Sequence, residues 1–153
     1  LKDQNGERSF GETVRPTTGD WTKVSLTIPS GATLPLKRIG IRFSGNKSLS
    51  GGPVYIDDIT VGPNHVYSFE GGSVAPWTKK RDGIVELRTS TEQSRSGDRS
   101  MEVMLSGGGS KGFLQLKGLR DISAGDVLTF YVYTPSPAPS LDKLVAGPGL
   151  TLA

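Results

Sequence analysis

The sequence predicts an all-β fold, a sandwich of two antiparallel sheets. Apolar residues recur at every second position in short runs, and no stretch keeps a 3.6-residue stripe over three turns. Gly-, Pro-, Asn- and Ser-rich segments separate the runs, as in "PSGATLP", "SGNKSLSGGP", "VGPNH", "SRSGDRS", "SGGGSKG" and "TPSPAPS". Short strands spaced by about 8–12 residues fit a sandwich or jelly roll.

The elements follow in order. "WTKVSLTIP" (21–29) turns Val24, Leu26 and Ile28 inward, and Trp21, which opens the strand, is expected to be structural. "RIGIRF" (38–43) puts Ile39, Ile41 and Phe43 on one face and Gly40 and Arg42 on the other. "VYIDDITV" (54–61) and "VYSFE" (66–70) read as a hairpin around "GPNH". "GIVELRT" (83–89), "SMEVMLS" (100–106), "FLQLKGL" (113–119) and "DVLTFYVYTP" (126–135) complete the set. "SPAPS" (136–140) is expected to be a loop within one sandwich, because too little chain follows it for a second domain.

Composition removes several function classes. The chain has 153 residues, enough for one domain with a core. Gly 21 and Pro 10 make up about a fifth of it, below the level at which low-complexity disorder is expected. Cys 0 excludes disulfide scaffolds, thiolate metal sites and cysteine nucleophiles, and His 1 excludes a multi-histidine metal site. No apolar run approaches the roughly 18 residues of a membrane helix, and no membrane partner is expected. The 153 residues are expected to hold no secretory signal or transit peptide. The net charge is +3, and the densest basic run, Lys79-Lys80-Arg81, is expected to be a solvated loop; no nucleic-acid partner is expected.

Two segments resemble a known family. Residues 1–62, with Trp21, "RIGIRF" and "YIDDITV", look like the C-terminal half of the β-jelly-roll carbohydrate-binding modules attached to bacterial polysaccharide-degrading enzymes. Residues 66–153, with "FEGG", Trp77 and the "SGDRSMEV" turn and strand, look like the N-terminal half of the same modules. The halves stand in reversed order. One module with its halves circularly permuted is expected. The two halves add to about one module, "DITVGPNHVYSF" reads as the joining hairpin, and "GLTLA" (149–153) placed ahead of "LKDQNG" reads as one strand. The alternative is a fragment spanning two modules, with open edges and an exchanged dimer instead of a monomer.

The resemblance implies a structural Ca²⁺ held by Glu70, Asp57 and the Ser96-Gly97-Asp98 turn, with Asp58 second to Asp57 and Glu92 a weaker addition. Ca²⁺ takes six to eight oxygen ligands, and a Gly-rich "FEGG" lets carbonyls approach. Asp57 and Asp58 are adjacent, so in a regular strand they point to opposite faces and only one enters such a site.

Sugar binding needs rings that stack on C–H faces and polar groups that meet hydroxyls. Alternation puts Tyr131 and Tyr133 opposite Leu128, Phe130 and Val132, Arg42 opposite Ile41 and Phe43, and Gln115 opposite Leu114 and Leu116. Arg42, Gln115, Tyr131 and Tyr133 are therefore expected to line one concave cleft. Trp77 is either a stacking platform at its rim or a core plug.

Catalysis is not expected. A glycosidase needs two carboxylates roughly 5–10 Å apart across a cleft, and Asp57 and Asp58 are expected to face opposite ways. His65, the lone histidine, falls in a Pro/Asn turn. "GGGS" (107–110) follows a strand and opens no helix, so it is not a phosphate loop. The expected function is non-catalytic: binding a soluble polysaccharide or oligosaccharide chain (a β-glucan, mannan or xylan) and targeting an appended, secreted, extracellular bacterial glycoside hydrolase. The alternative is a structural or adhesive spacer without a sugar site, for which Tyr131, Tyr133 and Arg42 would be scattered or covered. A lyase or hydrolase on the same fold is a third class.

Overall fold

Alternating sequence becomes alternating burial in strands such as Val127–Tyr133 of the computed structural model, which describes residues 1–3, 5–6, 11, 13–44, 50–108, 111–135 and 143–147. Its strands are β1 (Thr13–Val14), β2 (Trp21–Thr27), β3 (Arg38–Ser44), β4 (Ser50–Val61), β5 (His65–Tyr67), β6 (Thr78–Lys80), β7 (Ile84–Ser90), β8 (Ser100–Gly107), β9 (Gly112–Lys117), β10 (Val127–Tyr133) and β11 (Lys143–Gly147). They form a five-stranded sheet in the order β1-β11-β3-β9-β6 and a six-stranded sheet in the order β2-β10-β4-β8-β7, with β5 paired to β4. Every ladder between these strands is antiparallel. The chain is therefore all-β, and successive strands β8, β9, β10 and β11 alternate between sheets, as a jelly roll requires.

The core lies between the sheets. Ile39, Ile41, Phe43, Leu114 and Leu116 face it from one side. Val24, Val54, Ile56, Ile59, Val61, Met101, Val103, Leu128, Phe130 and Val132 face it from the other. Period-2 alternation selects these residues because successive side chains leave opposite sides of the pleat. The expected hairpin forms, with Ile59 opposite Tyr67, Thr60 opposite Val66 and Val61 opposite His65.

Two elements depart from the sequence reading. The basic run is no loop, because Thr78–Lys80 pairs along β9 as an edge strand. Its lysines suit that place, since charge on an edge discourages pairing with a second chain. β11 pairs with β3 on one side and β1 on the other. "KLVAG" is too short and too uniformly apolar to show a period. Trp21, which opens β2, lies half-buried on the outer face of the six-stranded sheet, with its ring centroid 5.5 Å from that of Tyr133. The segments 136–140 and 149–153, on which linker and permutation expectations rest, lie outside the described residues.

Candidate functional site

The expected cleft divides between two faces. Arg42 on β3 and Gln115 on β9 belong to the five-stranded sheet, whereas Tyr131 and Tyr133 on β10 belong to the six-stranded one. Both pairs point away from the core, so they lie on opposite outer faces of the sandwich. Each strand's inward and outward sets follow the sequence reading; the shared cleft does not form. Trp77 joins neither face. It is 2% exposed in the core, edge-on to Tyr67 with centroids 5.7 Å apart.

On the five-stranded face, register places Gln115 opposite Gly40, which is buried and forms a floor between β3 and β9. A Cβ on Gly40 would collide with the Leu114 carbonyl oxygen, so β3 and β9 approach here as only glycine permits. Arg42 stands opposite Phe113, and its Nε donates to Ser44 Oγ at 2.8 Å. Partial burial pulls the Arg42 guanidinium below its usual range. Across β9, Thr78 pairs with Gln115 and Lys80 with Phe113. Phe113 is buried although it lies outside the central core cluster, and Arg81 lies 5.5 Å from its ring centroid.

The six-stranded face carries a row across neighbouring strands: Trp21, Tyr133, Tyr55, Glu102 and Arg88. The rings pack tilted, with Tyr133 also 6.3 Å from Tyr55, and Glu102 pairs with Arg88 at 2.8 Å. Burial, then the Glu102 and Glu92 carboxylates, push the Tyr55 hydroxyl up. Tyr131 is covered by Arg95, whose guanidinium carbon lies 3.5 Å from the ring centroid. Sequence reasoning overlooked Tyr55 and Arg95. The parity of "VYIDD" puts Tyr55 on the side of Asp57 and was a usable signal, whereas nothing local points to Arg95.

The acidic residues converge, but by a route that alternation does not predict. Thr60 pairs with Thr129 and Asp57 with Tyr131, so Asp58 and Ile59 together oppose Phe130. This β-bulge puts Asp58 at φ 50, in the left-handed region that aspartate tolerates. It also breaks the expected opposition of the two carboxylates, and both meet the loop before β8. Asp57 Oδ2 accepts from the amides of Arg95 (2.8 Å) and Ser96 (3.3 Å), and Oδ1 from the Asp58 amide (2.7 Å). Asp58 accepts from Ser96 Oγ at 2.6 Å and Arg95 Nη1 at 2.7 Å. Glu70 accepts from the amides of Asp98 (3.0 Å) and Arg99 (2.9 Å), with its carboxylate packed on Gly97, where φ is 62. Glu92 is exposed and stays apart from this set, its amide donating to Ser90 Oγ.

All the oxygens of Asp57, Asp58 and Glu70 thus accept hydrogen bonds from donors. A cation among them would face N–H dipoles and the Arg95 guanidinium, so in this arrangement the set fits a hydrogen-bonded clamp and not a Ca²⁺ chelate. Among the described residues, no group of three or more His, Cys, Asp or Glu is placed to hold a metal. Burial raises the Asp57 carboxyl above its ordinary value, against the opposing pull of the Arg95, Asp58 and Ser96 amides. His65 is half-buried at the start of β5, where Nε2 donates to the Arg120 carbonyl at 2.7 Å.

Fold and surface together define the chain as an all-β sandwich with a polar outer face on one sheet and an aromatic row on the other. No protein-family model, curated protein or solved structure matches it.

Proposed function

We propose that this chain is a non-catalytic carbohydrate-binding module that holds a polysaccharide chain on the outer face of the five-stranded sheet. One observation carries the reading. Arg42 and Gln115 lie on the same side of adjacent strands, half-buried, around a floor formed where β3 and β9 approach closely at Gly40. Guanidinium and amide groups at such a floor meet sugar hydroxyls. The module would raise the local concentration of an appended, secreted hydrolase at its polysaccharide.

Affinity electrophoresis against soluble glucans, xylans, mannans and pectic chains tests this. Retardation is expected by at least one of them. Arg42→Ala and Gln115→Ala should each weaken binding by about tenfold, the cost of leaving a polar partner unmet. Tyr133→Ala should leave affinity unchanged; loss there with Arg42→Ala unaffected would move the site to the other sheet. The separation of Arg42 from Tyr131 and Tyr133 also favours a second reading, a structural or adhesive spacer. Failure of every polysaccharide to retard the chain would decide for the spacer.

The calcium implied by resemblance has its own measurement. The clamp is complete without an ion, so chelation with EGTA is expected to leave the melting temperature unchanged. A fall in EGTA reversed by CaCl2 would overturn this, because a ligand bound only to the native state must stabilise it.

A further inference from the structure

The five-stranded face concentrates positive charge in two rows. Antiparallel register aligns Lys2, Arg38 and Lys117 in one row through the Lys2–Arg38 bridge and the Arg38–Lys117 pair. It aligns Arg42, Phe113 and Lys80 in the other, with Arg81 above Phe113. Strands β3, β6 and β9 contain no acidic residue. The Lys80 ammonium is pulled below its ordinary value, first by Arg38, then by desolvation, and then by Arg81, Lys117 and Lys2. Cations on both rows therefore share one field, and a polyanion would relieve their repulsion.

Between the rows lie Gln115, Thr78 and Gly40, in register across β9, β6 and β3. Residues 113 and 117 of β9 are about 13 Å apart at the usual strand rise, enough for several sugar units to span. Amide and hydroxyl groups on this floor suit sugar hydroxyls. Among the described residues the floor offers no ring for base stacking, because Phe113 is 4% exposed.

We infer that the ligand is an anionic polysaccharide, a chain of uronate sugars laid along β9. Its carboxylates pair with the Lys80–Arg42 row and the Lys117–Arg38–Lys2 row, and its hydroxyls meet Gln115 and Thr78. This rests on the carbohydrate-binding reading and narrows its ligand class.

The experiment is affinity electrophoresis of the full chain in gels carrying polygalacturonate, with neutral glucan, mannan and xylan gels alongside. Polygalacturonate should retard the chain most, and the effect should fall steeply between low and physiological salt as the exposed charges are screened. Lys80→Gln with Lys117→Gln changes two exposed side chains and should weaken binding by about tenfold or more. Lys23→Gln, on the outer face of the other sheet, should change nothing. Retardation by a neutral polysaccharide, with polygalacturonate weaker or insensitive to salt, would overturn the anionic ligand and leave the carbohydrate reading standing. No retardation in any gel would overturn both. Equal affinity for a single-stranded oligodeoxynucleotide would mark the face as a general polyanion surface and overturn the sugar specificity.

Discussion

Asp57→Ala is expected to lower the stability of the chain by about 2–4 kcal/mol, because it leaves the amides of Asp58, Arg95 and Ser96 without their acceptor. Asp57 is fully buried at a gap in the sheet. β8 stops pairing with β4 at Ile56, and β5 begins at Ile59. The side chain fills that gap by capping the loop that would otherwise hang free of the β4 edge. Urea denaturation at neutral pH measures the effect, as a lower midpoint with an unchanged slope. Glu70→Ala should cost less, about 1 kcal/mol, since Glu70 is exposed and water can replace it. A drop below about 1 kcal/mol for Asp57→Ala would mean that the loop holds itself. The pH dependence adds a sign. The folded carboxyl of Asp57 titrates above its unfolded value. The part of its contribution linked to that proton is therefore fully present below the unfolded aspartate value, about 4, and is lost as pH rises through the folded one, whereas the capping of the three amides persists in the ionised form. Asp57→Ala should remove that declining limb from a plot of stability against pH.

Trp77→Ala is expected to cost about 3–5 kcal/mol, the usual penalty for emptying a buried aromatic site. Trp77→Phe should cost far less. It keeps a ring against Tyr67, and the Trp77 Nε1 has no hydrogen-bond partner among the described residues, so no hydrogen bond is lost. The pair of variants separates the plug from the platform. If Trp77→Ala left the urea midpoint intact and abolished polysaccharide retardation, the side chain would belong to the ligand site.

Much of this molecule is legible one strand at a time. The inward set Ile39, Ile41, Phe43 and the outward Arg42 follow from the pleat alone, as do Leu128, Phe130 and Val132 against Tyr131 and Tyr133. Where alternation is interrupted, the reading fails. At Asp58 an inserted residue resets the parity of β4, turning two acids expected to diverge onto one loop. β6 and β11 give little periodic signal, one being three exposed residues and the other five with no alternation of polarity. Their partners, β9, β3 and β1, supply the order that their own sequences lack.

The candidate site shows the same division. That Arg42, Gln115, Tyr131 and Tyr133 all face outward is determined by the sequence itself, because covalent geometry makes successive side chains alternate within each strand. Which of them share a surface is decided by the tertiary structure. β3 pairs with β9 and β10 with β4, so guanidinium and amide meet on one sheet while both tyrosines go to the other. The cation rows arise likewise, from residues as distant in sequence as Lys2, Lys80 and Lys117 brought together on one face. Facing is a local property of the backbone. Neighbourhood depends on hydrogen-bond ladders between remote segments, and no window of sequence contains both partners.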